Sequence, residues 1–217
     1  MTLTPLGLPA LAAAALSTWL HLRAEYRGPR WQVYLFKPLT TAVLLLLAAL
    51  ATSVHGPRYQ VAIVVGLACS LVGDVMLMLP RDRFVPGLAA FLLAHLAYLV
   101  AFASGVPVGT APVLILPLLA TGTLLLRLLW PGLGRFRGPV LAYTVAILLM
   151  VWQAWGRNRV APSEGASLAA AGAALFMMSD AILALNRFRR PWSGAQIAIM
   201  TSYVAAQALI ALSVSTP

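Results

Sequence analysis

Apolar residues run through this chain in long blocks, each parted from the next by a short polar or basic break. A bilayer-spanning helix takes about 20 mainly apolar residues. Eight blocks approach that length, at roughly 5–22, 33–53, 60–79, 84–103, 110–129, 138–156, 165–185 and 193–214. The breaks carry turn residues: Arg27-Gly28-Pro29-Arg30, Gly56-Pro57-Arg58, Trp130-Pro131-Gly132 and Arg190-Pro191-Trp192. Pro86, Pro112, Pro139 and Pro162 stand at or near span starts, where a missing N–H costs little. Pro117 falls inside a span and is expected to kink it. Loops this short force neighbouring helices antiparallel and leave no room for a soluble domain. Residues 1–217 therefore read as a single integral membrane domain: all-α, polytopic, a compact bundle of eight transmembrane helices.

Composition narrows the class. Hydrophobic residues make up 61% of the chain and charged residues 9%, with a mean hydropathy of +0.90. Soluble domains are about 45–50% apolar and about 25% charged. Too few charges remain to coat a globule, which argues against a soluble enzyme, a disordered tail and a disulfide-stapled secreted domain. Cys69 is the single cysteine and permits no internal disulfide.

The net charge of +10 would suggest nucleic-acid binding in a soluble protein. Here the basic residues lie between apolar runs, where positive charge marks cytoplasmic loops. No nucleic-acid partner is expected. Alternate loops and their flanking helix ends hold Arg23, Arg27, Arg30, Lys37, Arg81, Arg83, Arg127, Arg135, Arg137, Arg187, Arg189 and Arg190. The opposite side holds Arg58, Arg157 and Arg159, so the 15 basic residues divide twelve to three. The bias places both termini outside the cytoplasm. The first span has no positive charge before it, unlike a secretory signal, and reads as a retained helix.

Ionisable residues inside a membrane are costly and point to function by default. Lys37, Asp74, His95 and Asp180 fall within the spans. Asp74 is late in the third span and Asp180 late in the seventh. Those spans run in the same direction, so the carboxylates are expected at similar depth on the cytoplasmic half. The segments that follow are alike as well, with Phe84, Gly87, His95 and Tyr98 after Asp74, and Phe188, Gly194, Ser202 and Tyr203 after Asp180. This suggests a four-helix duplication with parallel halves, which would bring the two aspartate helices to a shared centre. A carboxylic acid beside a carboxylate is what general acid–base chemistry requires. The competing reading is that each aspartate merely hydrogen-bonds neighbouring helices.

Other polar residues are candidates for substrate contact or for helix–helix hydrogen bonds. His95, Tyr98 and Phe91 share a face of the fourth span; Gln196, Met200, Tyr203 and Gln207 line the eighth. Ser70 lies one turn before Asp74. Lys37, at the start of the second span, is expected to snorkel to headgroups or hold a phosphate. His21 and Glu25 read as a surface pair. Three His and one Cys show no metal-ligand spacing, and no P-loop or G-x-S-x-G is present, so neither metal nor cofactor is expected.

At these residues the sequence resembles the YhhN-like family, the lysoplasmalogenases. The matching segments are Phe36-Lys37-Pro38-Leu39-Thr40, Gly73-Asp74 with Phe84, Gly87, Phe91, His95 and Tyr98, Tyr143 with Met150 and Ala154, and Ser179 to Ala184 with Tyr203 and Gln207. The resemblance implies a multi-pass protein that hydrolyses the vinyl ether bond of lysoplasmalogens to a fatty aldehyde and a glycerophospho-head group. It also implies that Asp74 and Asp180 are catalytic. The candidates for substrate binding beside them are Lys37, Ser70, His95, Tyr98, Tyr143, Tyr203 and Gln207. The expected partners are a lysophospholipid and membrane lipids, in a bacterial inner membrane.

The chemistry suits two carboxyl groups. Protonating the β-carbon of a vinyl ether leaves an oxocarbenium ion; water adds, and the hemiacetal collapses to aldehyde and alcohol. Glycoside hydrolysis passes a similar state between two carboxyl groups. The phosphate would sit towards the loops carrying Lys37, Arg81, Arg83 and Arg187. Two alternatives remain open: a proton-coupled transporter or lipid carrier using the same aspartates, and an assembly protein in which they only join helices.

Overall fold

A computed structural model describes residues 7–80 and 82–217. Arg81, and the first residues of the span expected at 5–22, lie outside the described residues. The described residues form α1 (Gly7–Arg27), α2 (Arg30–Leu50), α3 (Pro57–Met78), α4 (Phe84–Phe102), α5 (Ile115–Leu133), α6 (Arg137–Val160), α7 (Glu164–Phe188) and α8 (Ala195–Leu212), with no strand among them. Short 3-10 turns precede α5 at Pro112–Leu114 and follow it at Gly134–Phe136.

The all-helical membrane class holds, but eight crossings is too high a count. Six helical segments are long and apolar enough to cross a membrane. One of these, Pro112–Val160, is 49 residues long and takes in α5, α6 and the two 3-10 turns beside α5. The chain reverses between α5 and α6 at Gly134, whose φ of +48° suits glycine. α1 is not among the six; its Ser17, Thr18, His21 and Arg23 dilute its apolar content. Pro117 falls in the first turn of α5, where no intrahelical N–H is needed, so the expected kink has no cause. The interior prolines are Pro38 in α2 and Pro131 in α5.

Small residues draw the helices together. Antiparallel α3 and α4 meet where Gly66 faces Tyr98, Gly73 faces Phe91 and Gly87 faces Leu77. A Cβ on Gly73 would stand 2.6 Å from the Phe91 ring, so only glycine allows that contact. α7 and α8 form a matching hairpin through Gly172 against Ala206 and Ile210.

The packing pattern supports a four-helix duplication. α1 to α4 and α5 to α8 repeat the same neighbours: α2 packs on α3 and α8, while α6 packs on α7 and α4. The correspondence fails at the first helix of each half. α1 packs against α8, whereas α5 packs against α7 and no comparable packing joins it to α4. Of α5, only Gly122, Leu129 and Leu133 are buried; Leu116, Leu119 and Leu124 are exposed, the chemistry expected of a lipid-facing helix.

Candidate active site

Asp74 and Asp180 occupy equivalent places in the two halves. Each carboxylate takes a hydrogen bond from the second helix of its own half and stands beside a residue of the last helix of the other half. Thr41 Oγ1 on α2 donates to Asp74 Oδ2 at 2.6 Å, and Tyr203 OH on α8 donates to the same oxygen at 2.8 Å. Tyr143 OH on α6 donates to Asp180 Oδ2 at 2.5 Å, and His95 Nε2 on α4 stands 3.4 Å from that oxygen.

The surroundings then diverge. Asp74 is 2% exposed and its other oxygen lies 3.8 Å from Lys37 Nζ. Lys37 is buried as well, so the expectation of a snorkelling or phosphate-holding lysine gives way to an internal ion pair. The cause is the helix start: α2 begins at Arg30, which sets Lys37 two turns inside, on the same face as Thr41. Sequence reasoning passes over Thr41, although its i, i+4 spacing from Lys37 is the signal that would have found it. His21 is also fully buried on α1, so it is not the surface partner of Glu25.

Asp180 instead faces a cavity of about 370 Å³ between α4, α5, α6 and α7, which also reaches Leu77 of α3. The cavity lies where α5 stands away from α4. Its walls are almost wholly apolar; Asp180, Tyr143, Thr121 and Thr144 are its polar residues. Tyr143 and His95 lie on the Oδ2 side. No partner is found for Asp180 Oδ1 among the described residues.

An aromatic wall separates the two carboxylates. The Phe91 ring stands 5.8 Å from Tyr203 and 6.1 Å from Phe176, and Phe176 is 5.5 Å from Tyr203. His95 packs on Phe176 at 4.6 Å and meets Tyr143 edge-on at 5.0 Å. Phe91 lines the cavity on one side and touches the Asp74-bound tyrosine on the other. Phe176, four residues before Asp180, is a further residue that sequence reasoning omits.

The remaining expected contacts lie elsewhere. Tyr98 OH donates to Gln207 Oε1 at 2.7 Å, one turn beyond the Asp74 cluster. Ser70 is fully buried at the same level. Among the expected residues, Asp180 and Tyr143 line the cavity; Asp74, Lys37, Ser70, His95, Tyr98, Tyr203 and Gln207 do not.

At the loop end below Asp180 the cavity is lined by Phe84 and Phe188, whose rings stand 5.4 Å apart. Arg187 lies over Phe84 at 4.9 Å and its Nη2 donates to Asp82 Oδ2 at 2.7 Å. That bond, with the Phe84 N–H on Oδ1, holds the exposed Asp82 carboxyl below the usual carboxylate range.

The model of the YhhN family matches residues 32–214. An Escherichia coli O157:H7 protein named "Uncharacterized membrane protein YhhN" is 37% identical over 198 residues, covering 91% of this chain and 94% of that protein. "Lysoplasmalogenase TMEM86B" of Sus scrofa is 38% identical over 189 residues, covering 86% of this chain and 77% of the relative. "Lysoplasmalogenase TMEM86A" of Homo sapiens is 35% identical over 202 residues, covering 86% and 79%. No solved structure matches the chain.

Proposed function

The chain belongs to the YhhN family, and from that membership and the surroundings of Asp180 we propose that it is a membrane-embedded hydrolase of lysoplasmalogens. It would cleave the vinyl ether bond to release a fatty aldehyde and a glycerophospho-head group. The observation that carries the reading is a lone carboxyl group, with one oxygen held and one open, in the wall of an apolar cavity. The lysoplasmalogenase names of the pig and human relatives support it.

In this reading the alkenyl chain occupies the cavity between α5, α6 and α7, and the head group lies at the Phe84–Phe188 end. Asp180 acts as the acid. Its Oδ1 proton passes to the β-carbon of the vinyl ether, and the π electrons form the new C–H bond, leaving an oxocarbenium ion. Water adds to the α-carbon and gives a proton to the Asp180 carboxylate, restoring the acid. The hemiacetal then collapses: its C–O bond to glycerol breaks, its hydroxyl proton goes to the departing oxygen, and the aldehyde forms. Tyr143 holds the carboxyl in place, and His95 packs beside it. Asp74, paired with Lys37, acts from behind the aromatic wall as the second carboxylate, favouring the cation electrostatically. The Phe91 ring, which lines the cavity, favours it too.

Aldehyde release from a lysoplasmalogen by purified protein tests this. Asp180→Asn is expected to lower the rate by about 100-fold or more, the usual range for loss of a general acid. Full activity in a folded Asp180→Asn protein would overturn the proposal. Flux of the lipid across sealed vesicles without any aldehyde would favour the carrier instead.

A further inference from the structure

The loop end of the cavity carries a charge arrangement that the capping of the Phe84 N–H by Asp82, at the start of α4, explains only in part. Asp82 reaches across from the α3–α4 loop to Arg187 at the end of α7, directly over the Phe84 ring that lines the cavity. Both side chains are largely exposed, at 65% and 42%. An exposed pair of this kind contributes little to stability. The surrounding loops are otherwise basic, with Arg83, Arg135, Arg137, Arg189 and Arg190, and Asp82 is the one carboxylate in the three loops that flank the cavity end. A site meant only for a phosphate would gain from omitting it, because a carboxylate repels that ligand.

We propose that Asp82 and Arg187 form a head-group subsite for a zwitterionic phospho-amino-alcohol, with phosphate on Arg187 and the ammonium group on Asp82. The subsite rests on the lysophospholipid reading above. The Arg187 guanidinium spends one N–H on Asp82, leaving the planar fork for phosphate oxygens. An ammonium group turned back from that phosphate meets Asp82 and the edge of the Phe84, Phe136 and Phe188 cluster, whose rings lie 5.4–5.8 Å apart. Spacing agrees as well. Seven residues of α7 separate Asp180 from Arg187, roughly 10 Å of helix, which a glycerol-phosphate linkage spans when its ether stands at Asp180.

The test compares two alkenyl lysolipids in mixed micelles, one with a phosphoethanolamine head and one with a bare phosphate. Asp82→Asn keeps an oxygen for the Phe84 N–H but removes the charge. It is expected to raise KM for the ethanolamine lipid about tenfold and to leave or lower KM for the phosphate lipid. Arg187→Gln is expected to raise KM for both about tenfold, with kcat little changed. The exchanged pair Asp82→Arg with Arg187→Asp restores a salt bridge in reverse order; a purely structural pair would recover the parent KM, and the subsite predicts that it does not. Equal effects of Asp82→Asn on both lipids, or none, would overturn the subsite. If the parent protein releases no aldehyde, binding of the matching saturated alkyl ether lipids decides the matter: head-group selectivity lost in Asp82→Asn upholds the subsite and removes only the hydrolase reading, and no selectivity removes the subsite.

Discussion

Lys37 and Asp74 form an ion pair buried at both partners. Two charges taken out of water repay their desolvation only when both remain, and removing one costs about 3–5 kcal/mol because the other is stranded. Asp74→Asn is therefore expected to lower the melting temperature in detergent sharply, and Lys37→Met with Asp74→Asn to recover most of it. A single variant as stable as its parent would show that Lys37 carries no charge there. The double variant is also the fair test of Asp74 in the reaction: folded but slow is the expected result. Both aspartates are visible in the sequence because a bilayer penalises them wherever they stand. The fate of Lys37 is not visible, since snorkelling and burial differ only in where α2 begins and in a partner supplied by another helix. Tyr143 is legible through resemblance alone; Thr41 is announced only by its i, i+4 spacing from Lys37, and Phe176 acts through residues far away in the chain with no local pattern to announce it.

Between elements, glycine spacing decides how closely α3 and α4 approach. Gly66 and Gly73 are seven residues apart, as are Phe91 and Tyr98 opposite them, so two turns of one helix seat two rings of the other. Gly73→Ala puts a methyl group into the Phe91 ring. Overpacking of this sort costs about 1–3 kcal/mol, and it would also shift the wall beside Asp180. The expected outcome is a lowered melting temperature with reduced aldehyde release. Gly138→Ala, which meets nothing within 4 Å, serves as the control and should change neither. The helices themselves are readable from the length of the apolar runs, with boundaries moved by a few residues. The join between α5 and α6 is not, because Trp130-Pro131-Gly132 reads as a break, yet Pro131 stays within helix and the reversal falls on Gly134.

At the scale of the molecule, the basic residues of the described helices gather at the end that holds Asp82 and Arg187, and Arg58, Arg157 and Arg159 lie at the other. The positive-inside rule predicts that the first end faces the cytoplasm and that the C-terminus does not. Alkaline phosphatase fused after Pro217 should be active and a fluorescent protein at the same place dark; the reverse pattern would invert the orientation. The opposite end is not merely sparse in charge. Arg157 is buried there, donating to the Ser104 carbonyl at 2.6 Å and lying over Tyr59 at 4.9 Å, so one of the three minority cations is a structural clamp between α6 and the loop after α4. A self-match in sequence hints at the duplication, whereas the departure from it at α5 has no sequence signal, because lipid-facing and helix-facing leucines look the same.

That departure carries a kinetic consequence. The α5 wall of the Asp180 cavity exposes leucines that suit hydrocarbon rather than water, so under the proposed function a substrate would arrive from within the membrane plane. What such a protein senses is the mole fraction of substrate among its neighbouring lipids, and bulk molarity is the wrong variable for its rate. Its turnover would report dilution in two dimensions: inert lipid added at constant total substrate acts as a competitor without binding anywhere.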